Sequence, residues 1–292
     1  MLILWLSFIG CNAQNTNKLY IETIKPDTIP KVFAPNFISK RDVSEFGSVF
    51  SKNGKEFYFG VNNNNKSEIR YSQLKNGTWT TPVALITHKE YGYNDPFLSS
   101  SENKLFYISN MPRNERDTIQ DHDIWYSKKI NGKWSKPINA GENINSDKNE
   151  YYMSFTSNDK MYFSSNKNAE VNRDHDFDIY ASVFENGEFQ KPIRMSDSIN
   201  SRRYEADVFI APDESYMIYC AALKDGYGKG DLYISFKDEN SGVWSKSQNM
   251  GPSINTEKHE LCPFVTWDGE YFFYTSNEDI YWVSSKIIEN YK

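Results

Sequence analysis

The chain has 292 residues, of which 38% are hydrophobic, 25% are charged and 16% are aromatic. Its 33 Lys and Arg against 39 Asp and Glu give a formal net charge of −6, which argues against nucleic acid and anionic membrane surfaces as partners. With 20 Tyr, 19 Phe and 7 Trp, the sequence is also far too aromatic for a disordered chain. We therefore expect a folded protein built from many short amphipathic strands.

The first residues predict an export signal. Residues 1–10 are apolar or small and uncharged, and they lead directly into Cys11. Such a run is too short to cross a bilayer, so it indicates the apolar region of a signal peptide. The stretch Phe-Ile-Gly-Cys that ends at Cys11 resembles a bacterial lipobox, in which the cysteine becomes the lipidated first residue. Ordinary cleavage near Ala13 is the alternative, and residues 12–30 are expected to form a solvated tether.

The rest of the chain repeats with a period of 55 residues. An aromatic residue follows a glycine-containing turn at four positions with this spacing, namely Trp79, Trp134, Phe189 and Trp244. The Ile-Asn pairs keep the same step, at Ile144-Asn145, Ile199-Asn200 and Ile254-Asn255. A period of this length indicates a repeat architecture, in which each unit buries its apolar faces against its neighbours.

The order of segments within each unit is constant. An apolar strand and a turn lead into an aromatic strand, and a third strand then opens with an acidic residue (Glu68, Asp123, Asp178, Asp231 or Asp279). After the glycine-containing turn, a fourth strand is expected to run from the aromatic residue towards Pro82, Pro137 or Pro192. Four short strands per repeat, without helical periodicity, are typical of a propeller blade.

The number of repeats predicts five blades. The unit that starts near Glu260 has only three strands before Lys292, whereas Lys31 to Pro35 resembles the fourth strand around Trp134. We therefore expect residues 31–292 to form a single all-β, five-bladed propeller of four-stranded antiparallel blades. In this arrangement residues 31–39 complete the last blade and close the ring, which removes two free sheet edges.

The repeat resembles the bacterial WD-like (TolB-type) β-propeller family. The matching stretches are Pro96-Phe97-Leu98-Ser99, Val265-Thr266-Trp267-Asp268-Gly269 and Asp279-Ile280-Tyr281. This resemblance covers about residues 31–292 and implies an envelope protein that acts by binding. A fold does not fix a function, so the ligand stays open.

The innermost strand of each blade is expected to line an axial channel, with acidic residues around its mouth. Candidate ligand-binding residues fall in this ring and in the long loops beside it: Glu45, Asp95, Glu150, Glu205, Glu260, Arg113, Arg116, His122, Arg173, His175 and Tyr227. In the second blade two positions fit the ring, since counting from Trp79 selects Asp95 and counting along the strand selects Tyr93. All four histidines fall in connections on the same face.

The acidic ring has three interpretations. Each acid caps a strand or bonds backbone amides, or the ring binds a polar ligand. In the third interpretation, Glu150, Glu205 or Glu260 serve as acid and base of a glycoside hydrolase. Repetition of the acid in every blade favours the structural interpretation, because catalytic carboxylates occupy non-equivalent positions.

The sequence carries no motif for a cofactor, and none is expected. The run from Asp174 to Asp178 alternates oxygen ligands that could recruit Ca²⁺, but it lacks the glycine and terminal glutamate of an EF-hand loop. Cys220 and Cys262 either pair in an oxidising compartment or stay buried as free thiols. We expect a periplasmic or outer-membrane lipoprotein that contacts the membrane only through its anchor and whose partner is an envelope protein or glycan.

Overall fold

The computed structural model describes residues 20–22, 24–63, 66–119, 121–170 and 175–292. Cys11 and the predicted signal region lie outside these residues. The described chain is an all-β, five-bladed propeller of four-stranded antiparallel sheets, as the sequence predicts. Within the described ranges no helix combines the length and apolar character needed to span a membrane.

The strands of the first two blades, preceded by one N-terminal strand, are β1 (Lys31–Val32), β2 (Ser44–Phe50), β3 (Glu56–Asn63), β4 (Lys66–Lys75), β5 (Thr78–Trp79), β6 (Val83–Ile86), β7 (Tyr93–Leu98), β8 (Lys104–Ser109), β9 (Asp123–Ile130), β10 (Lys133–Trp134) and β11 (Ile138–Asn139). The strands of the remaining blades are β12 (Glu150–Phe155), β13 (Met161–Ser165), β14 (Asp178–Ser182), β15 (Phe184–Glu185), β16 (Glu188–Phe189), β17 (Ile193–Arg194), β18 (Glu205–Ile210), β19 (Tyr216–Ala221), β20 (Asp231–Phe236), β21 (Gln248–Asn249), β22 (Glu260–Val265), β23 (Tyr271–Ser276) and β24 (Asp279–Ser284). A 3-10 helix, Ser285–Tyr291, follows β24 and buries Ile287 and Ile288.

Each blade takes its strands in chain order from the axis outward. Blade 1 contains β2, β3, β4 and β6, and blade 2 contains β7, β8, β9 and β11. Blade 3 contains β12, β13, β14 and β17, blade 4 contains β18 to β21, and blade 5 contains β22 to β24 with β1 at its outer edge. The first strands β2, β7, β12, β18 and β22 contact one another in a closed circle, which places them around the axis.

The N-terminal strand pairs with the last strand of the chain. In β1, Lys31 lies opposite Trp282 and Val32 lies opposite Tyr281, in antiparallel register. Phe33 follows directly and is fully buried, with its ring 5.0 Å from the ring of Phe273 in blade 5. Its ring is also 5.3 Å from that of Phe57 in blade 1. The junction between the two ends of the chain is therefore held by a backbone ladder and an aromatic cluster.

The outer strands differ from the sequence prediction. Trp79, Trp134 and Phe189 lie in the two-residue strands β5, β10 and β16, which extend a hairpin beyond the preceding strand. The outermost strand begins only after the proline, as β6 does after Pro82. Proline has no N–H to donate to a ladder, so it divides the segment into a hairpin and an outer strand.

Packing against the propeller begins earlier than the predicted tether allows. Tyr20 is buried, and its ring lies 5.1 Å from the rings of Phe50 and Tyr271. Its hydroxyl donates a hydrogen bond to Asp268, and Lys25 Nζ lies 4.8 Å from the Tyr20 ring centroid. From Tyr20 onward the segment thus belongs to the folded domain.

Candidate functional site

One face of the propeller collects the starts of the inner strands and of the third strands. In blade 3, Glu150 at the start of β12 lies opposite Ser165, which lies opposite Asp178 at the start of β14. The connections between blades and the loops between second and third strands therefore open on the same side. We call this side the entry face, and a ligand approaching the axis from it meets these loops first.

Three of the ring glutamates bond to the turn that precedes them. Glu150 accepts hydrogen bonds from the Ser146 amide at 2.9 Å, from Ser146 Oγ at 2.7 Å and from Ser165 Oγ at 2.6 Å. Glu205 accepts from the amide and the hydroxyl of Ser201. In blade 5, the donors to Glu260 are the Thr256 amide and hydroxyl and Ser276 Oγ.

Burial keeps these three carboxylates away from any substrate and leaves them to stabilise the fold. Desolvation raises the pKa of Glu150 and of Glu205 to about 7, while the hydrogen bonds from the serines lower it. A general acid or base must reach the proton that it transfers. Because all three side chains are fully buried and held by their own turns, the geometry supports the capping role and offers nothing to the hydrolase hypothesis.

In blade 2 the ring position belongs to Tyr93. Tyr93 is the first residue of β7 and lies opposite Ser109, as Glu150 lies opposite Ser165. Asp95 lies two residues further along the strand, at the next level along the axis. The count along the strand was thus the correct one of the two alternatives.

That next level is a ring of five β-bulges. Every inner strand shifts its register against its neighbour at this point. The residue at the bulge has a positive φ in each blade: Gly47 (50°), Asp95 (50°), Tyr152 (34°), Asp207 (52°) and Cys262 (52°). Sequence analysis missed this ring because its five positions do not share a residue type. Only the two aspartates match, and the other three positions carry glycine, tyrosine and cysteine. The one available signal was that Gly and Asp tolerate left-handed backbone.

The bulges bring two carboxyl groups and a thiol together at the axis. Cys262 Sγ donates to Asp95 Oδ1 at 3.4 Å, and the Cys262 amide donates to Asp207. Burial raises the pKa of both aspartates, and the charge of Asp95 raises that of Asp207 further. Burial also raises the pKa of the Cys262 thiol, which keeps it protonated and unreactive.

Above this cluster, an arc of rings follows the entry face across blades 2 to 5. Neighbouring ring centroids are separated by 5.2 to 6.1 Å in the order His122, Tyr151, Phe177, Tyr204 and His259. Burial lowers the pKa of both histidines, so both imidazoles are neutral at pH 7. At one end of the arc, His122 Nδ1 lies 3.3 Å from the Tyr151 hydroxyl and from Asn149 Oδ1. At the other, His259 Nε2 lies 3.3 Å from Cys220 Sγ.

A cavity of about 320 Å³ opens on the entry face between blades 4, 5 and 1. Phe46 and Leu261 supply apolar lining, and Lys229, Lys258 and Glu278 supply charge. We call it the mouth cavity. It combines apolar surface with a few charged groups, which is the usual composition of a ligand pocket.

The loop residues predicted to bind a ligand differ in how exposed they are. Arg113 is held internally, with Nε 2.7 Å from Asp123 Oδ2 and Nη2 2.8 Å from Asp121 Oδ2. Arg116 and His175 are exposed, and Tyr227 is 52% exposed in the loop that carries Lys229. Arg173 lies outside the described residues.

The repeated asparagines clamp the connections between blades. Asn145 accepts from the Ile124 amide at 2.8 Å and donates to the Ile124 carbonyl at 2.9 Å. Asn200 and Asn255 make the same pair of bonds to Ile179 and Leu232. The 55-residue period therefore records a bond that each of these connections makes to the third strand before it.

Cys220 and Cys262 are both buried free thiols. Across the residues that the structure describes, no group of three or more His, Cys, Asp or Glu side chains is arranged to hold a metal ion. Asp174, in the predicted Ca²⁺-recruiting run, lies outside them.

The fold is similar to that of TolB from Acinetobacter baumannii, with a TM-score of 0.52 and 12% sequence identity over 82% of this chain and 53% of that one. It is also similar to the tricorn protease (TM-score 0.50, 14% identity, 84% of this chain and 26% of that one). An auxiliary nutrient binding protein from Bacteroides thetaiotaomicron gives a TM-score of 0.49 and 9% identity, over 80% of this chain and 53% of that one.

The chain thus spans about half the length of the TolB structure and about a quarter of the tricorn protease. No family model and no curated protein matches the sequence. At these identities the similarity establishes a TolB-like propeller fold.

Proposed function

We propose that this protein is a non-catalytic binding or scaffold propeller of the bacterial cell envelope, whose ligand is a protein or a glycan that docks on the entry face. The mouth cavity is the observation that carries the proposal. It places Lys229, Lys258 and Glu278 around an apolar surface, and the exposed Tyr227 lies two residues from Lys229. Exposed aromatic and charged groups beside an apolar pocket are what recognition of a large polar ligand needs.

The chemistry of the mouth favours binding over catalysis. The ring carboxylates Glu150, Glu205 and Glu260 are already bonded within their own turns. Asp95 and Asp207 are buried beneath the aromatic arc. Among the described residues that line the mouth cavity, Glu278 is the one carboxylate, whereas glycoside hydrolysis uses a pair.

The N-terminal segment supports an orientation on the membrane. Tyr20 bonds to Asp268, in the turn between β22 and β23, at the end of blade 5 opposite to the entry face. A chain of nine residues from Cys11 to Tyr20 reaches at most ~30 Å. Lipidation of Cys11 would hold the propeller close to the membrane and present the entry face away from it.

Binding to soluble peptidoglycan fragments, measured by thermal shift on the purified protein, tests the proposal. A ligand at a hundred times its Kd stabilises the native state by about 2.7 kcal/mol. We expect Lys229→Glu and Lys258→Glu to abolish the shift. Lys246→Glu is the matched control, because Lys246 is exposed in the connection that follows β20 on the opposite face.

The mapping decides between the faces. Loss of the shift in Lys246→Glu but not in the two mouth variants would place the ligand on the opposite face and contradict the proposal. Mass spectrometry of the peptidoglycan fragments after each thermal-shift measurement checks whether they have been cleaved. A cleaved product that disappears in Glu150→Gln would replace the binding proposal with the glycoside hydrolase.

A further inference from the structure

One ring glutamate lacks the donors that the others have. Glu45 is 1% exposed, and among the described residues its carboxylate accepts hydrogen bonds only from the Lys40 amide, at 3.2 and 3.3 Å. Four residues before it stands Arg41, where Glu150, Glu205 and Glu260 have a serine or threonine hydroxyl. Across the ladder it faces Val61, where Glu150 faces Ser165. Burial raises the pKa of Glu45 to about 8, since fewer donors stabilise its charge.

Beside Glu45 lies a cavity of about 220 Å³, between the sheet of blade 1 and the segment that joins blade 5 to it. Its apolar lining includes Phe37, Phe59 and Val61, and its charged lining is Lys40, Arg70 and Glu45. We call it the blade 1 cavity. Its volume is about that of seven water molecules in the liquid, at roughly 30 Å³ each, which suits a small molecule.

The register sets Glu45 and Arg70 on one face of the sheet. Glu45 pairs with Val61 and Arg70 pairs with Phe59, so the two are separated by two strands and two residues. Standard spacings put their Cα atoms about 11–12 Å apart. Both side chains line the cavity, and within the described part of the chain no ion pair joins them, which leaves room for a small molecule between a carboxylate and a guanidinium.

Polar groups around this cavity have spare bonding capacity. Arg70 bonds to Glu68 through Nε at 2.8 Å, and among the described residues its two Nη atoms make no hydrogen bond. Ser39 lies in the chain between the lining residues Ile38 and Lys40. Its hydroxyl is buried and has no hydrogen-bond partner in the described part of the chain. Unsatisfied buried polar atoms are rare in folded proteins, and this one lies next to the cavity in the chain although Ser39 is not part of the cavity lining.

We infer that the blade 1 cavity binds a free α-amino acid with an apolar side chain. Glu45 receives the ammonium group, Arg70 receives the carboxylate, and Phe37 and Phe59 contact the side chain. A molecule without an ammonium group leaves the buried Glu45 carboxyl without a ligand partner, and one without a carboxylate leaves the Arg70 Nη donors unused, so each should bind more weakly. This site is separate from the mouth cavity and does not depend on the function proposed above.

Calorimetric titration of the purified protein with L-leucine tests the inference. Isoamylamine, which lacks the carboxylate, and isocaproate, which lacks the ammonium, are the matched probes. We expect L-leucine to bind and each single-charge analogue to bind at least about tenfold more weakly. Because an ammonium group favours the ionised form of Glu45, binding at pH 7 should also release protons, which appears as a dependence of the measured heat on the buffer.

Two variants locate the site, and a third serves as control. Glu45→Gln should weaken L-leucine binding at least about tenfold, whereas Glu150→Gln should leave it unchanged. Arg41→Ser supplies the hydroxyl that the other blades have, so it should raise the melting temperature and weaken binding about tenfold. Should Glu45→Gln not fold, Arg41→Ser decides. Absence of L-leucine binding, equal affinity for the analogues, or unchanged affinity in these variants would overturn the inference.

Discussion

Two adjacent levels of the inner strands repeat in different ways. Where the inner strands begin, four of the five blades carry the same residue type, glutamate, and in blades 3 to 5 its carboxylate accepts from the amide and the hydroxyl of the residue four positions earlier. Two residues further on, the five blades share a bulge with positive φ but carry Gly, Asp, Tyr, Asp and Cys. Repetition of a residue type thus marks a shared side-chain bond, while repetition of a conformation marks a shared backbone shape.

The difference shows where function is to be sought. A glutamate that keeps the repeated bonds is already occupied by the fold, so a ligand site must use positions that depart from the repeat. The mouth cavity is made of such positions, and so is the cavity beside Glu45, where the usual hydroxyl is replaced by Arg41.

The largest expected effect comes from crowding the bulge ring. A Cβ at Gly47 would lie 2.7 Å from Asp95 Oδ1 and 3.0 Å from Asp95 Cα, and the backbone there has φ of +50°. Gly47→Ala should therefore lower the free energy of unfolding by about 2–5 kcal/mol, combining left-handed strain with overpacking.

Gly251→Ala is the matched control for that change. Gly251 has φ of +67°, but a Cβ there meets nothing within 4 Å. Only the backbone strain remains, so the expected loss is about 1–2 kcal/mol in the same denaturant titration. Equal losses in the two variants would mean that the bulge ring is not tightly packed.

A smaller loss is expected from an asparagine clamp. Asn200 bonds to the amide and carbonyl of Ile179 and to the Met195 carbonyl, all within 2.8–3.1 Å. Asn200→Ala leaves these buried groups unpaired and should cost about 1–3 kcal/mol. Asn255→Ala should cost a similar amount, and the exposed Asn240 should tolerate the same change in a denaturant titration. A tolerant Asn200 would show that the Ile-Asn repeat has another origin.

The dependence of stability on pH gives the next comparison. A carboxyl group whose pKa is higher in the folded state than in the unfolded state binds more protons in the folded state. Its contribution to the free energy of unfolding is therefore present at low pH and is lost as the pH rises through the folded-state pKa. Burial raises the pKa values of Asp95 and Asp207, and it raises those of Glu150 and Glu205 to about 7. The lowered pKa values of His122 and His259 act in the opposite direction.

With more raised carboxyls than lowered imidazoles, we expect the melting temperature to fall between about pH 5 and pH 8. Asp207→Asn removes one raised carboxyl and its repulsion of Asp95, so it should flatten this slope. A melting temperature that rises over the same interval would contradict the assigned burial.

Much of the fold could be predicted from the sequence, because period, turn residues and aromatic strands are local signals. The five blades and the ring position of Glu150, Glu205 and Glu260 follow from them. The outermost strand of a blade begins after the proline and not, as predicted, at the aromatic residue before it. The sequence does not show this, because the effect of a proline depends on which backbone hydrogen bonds its position would have to make. The bulge ring was not predictable, because a Tyr and a Cys there adopt a backbone that only the packed axis imposes. The missing hydroxyl donor of Glu45 can be recognised in the sequence, as Arg41, only after the structure has shown that the residue four positions earlier is the donor.

Thermal unfolding of Glu45→Gln, Glu150→Gln, Glu205→Gln and Glu260→Gln, measured side by side at pH 7, tests the central claim most directly. A neutral amide cannot replace a carboxylate that accepts several hydrogen bonds, so the last three variants should each lose about 1–3 kcal/mol. Glu45→Gln should lose much less, because Glu45 has a single donor residue and a pKa of about 8. Equal losses in all four would show that position in the repeat, and not the bonds made there, decides what each glutamate contributes.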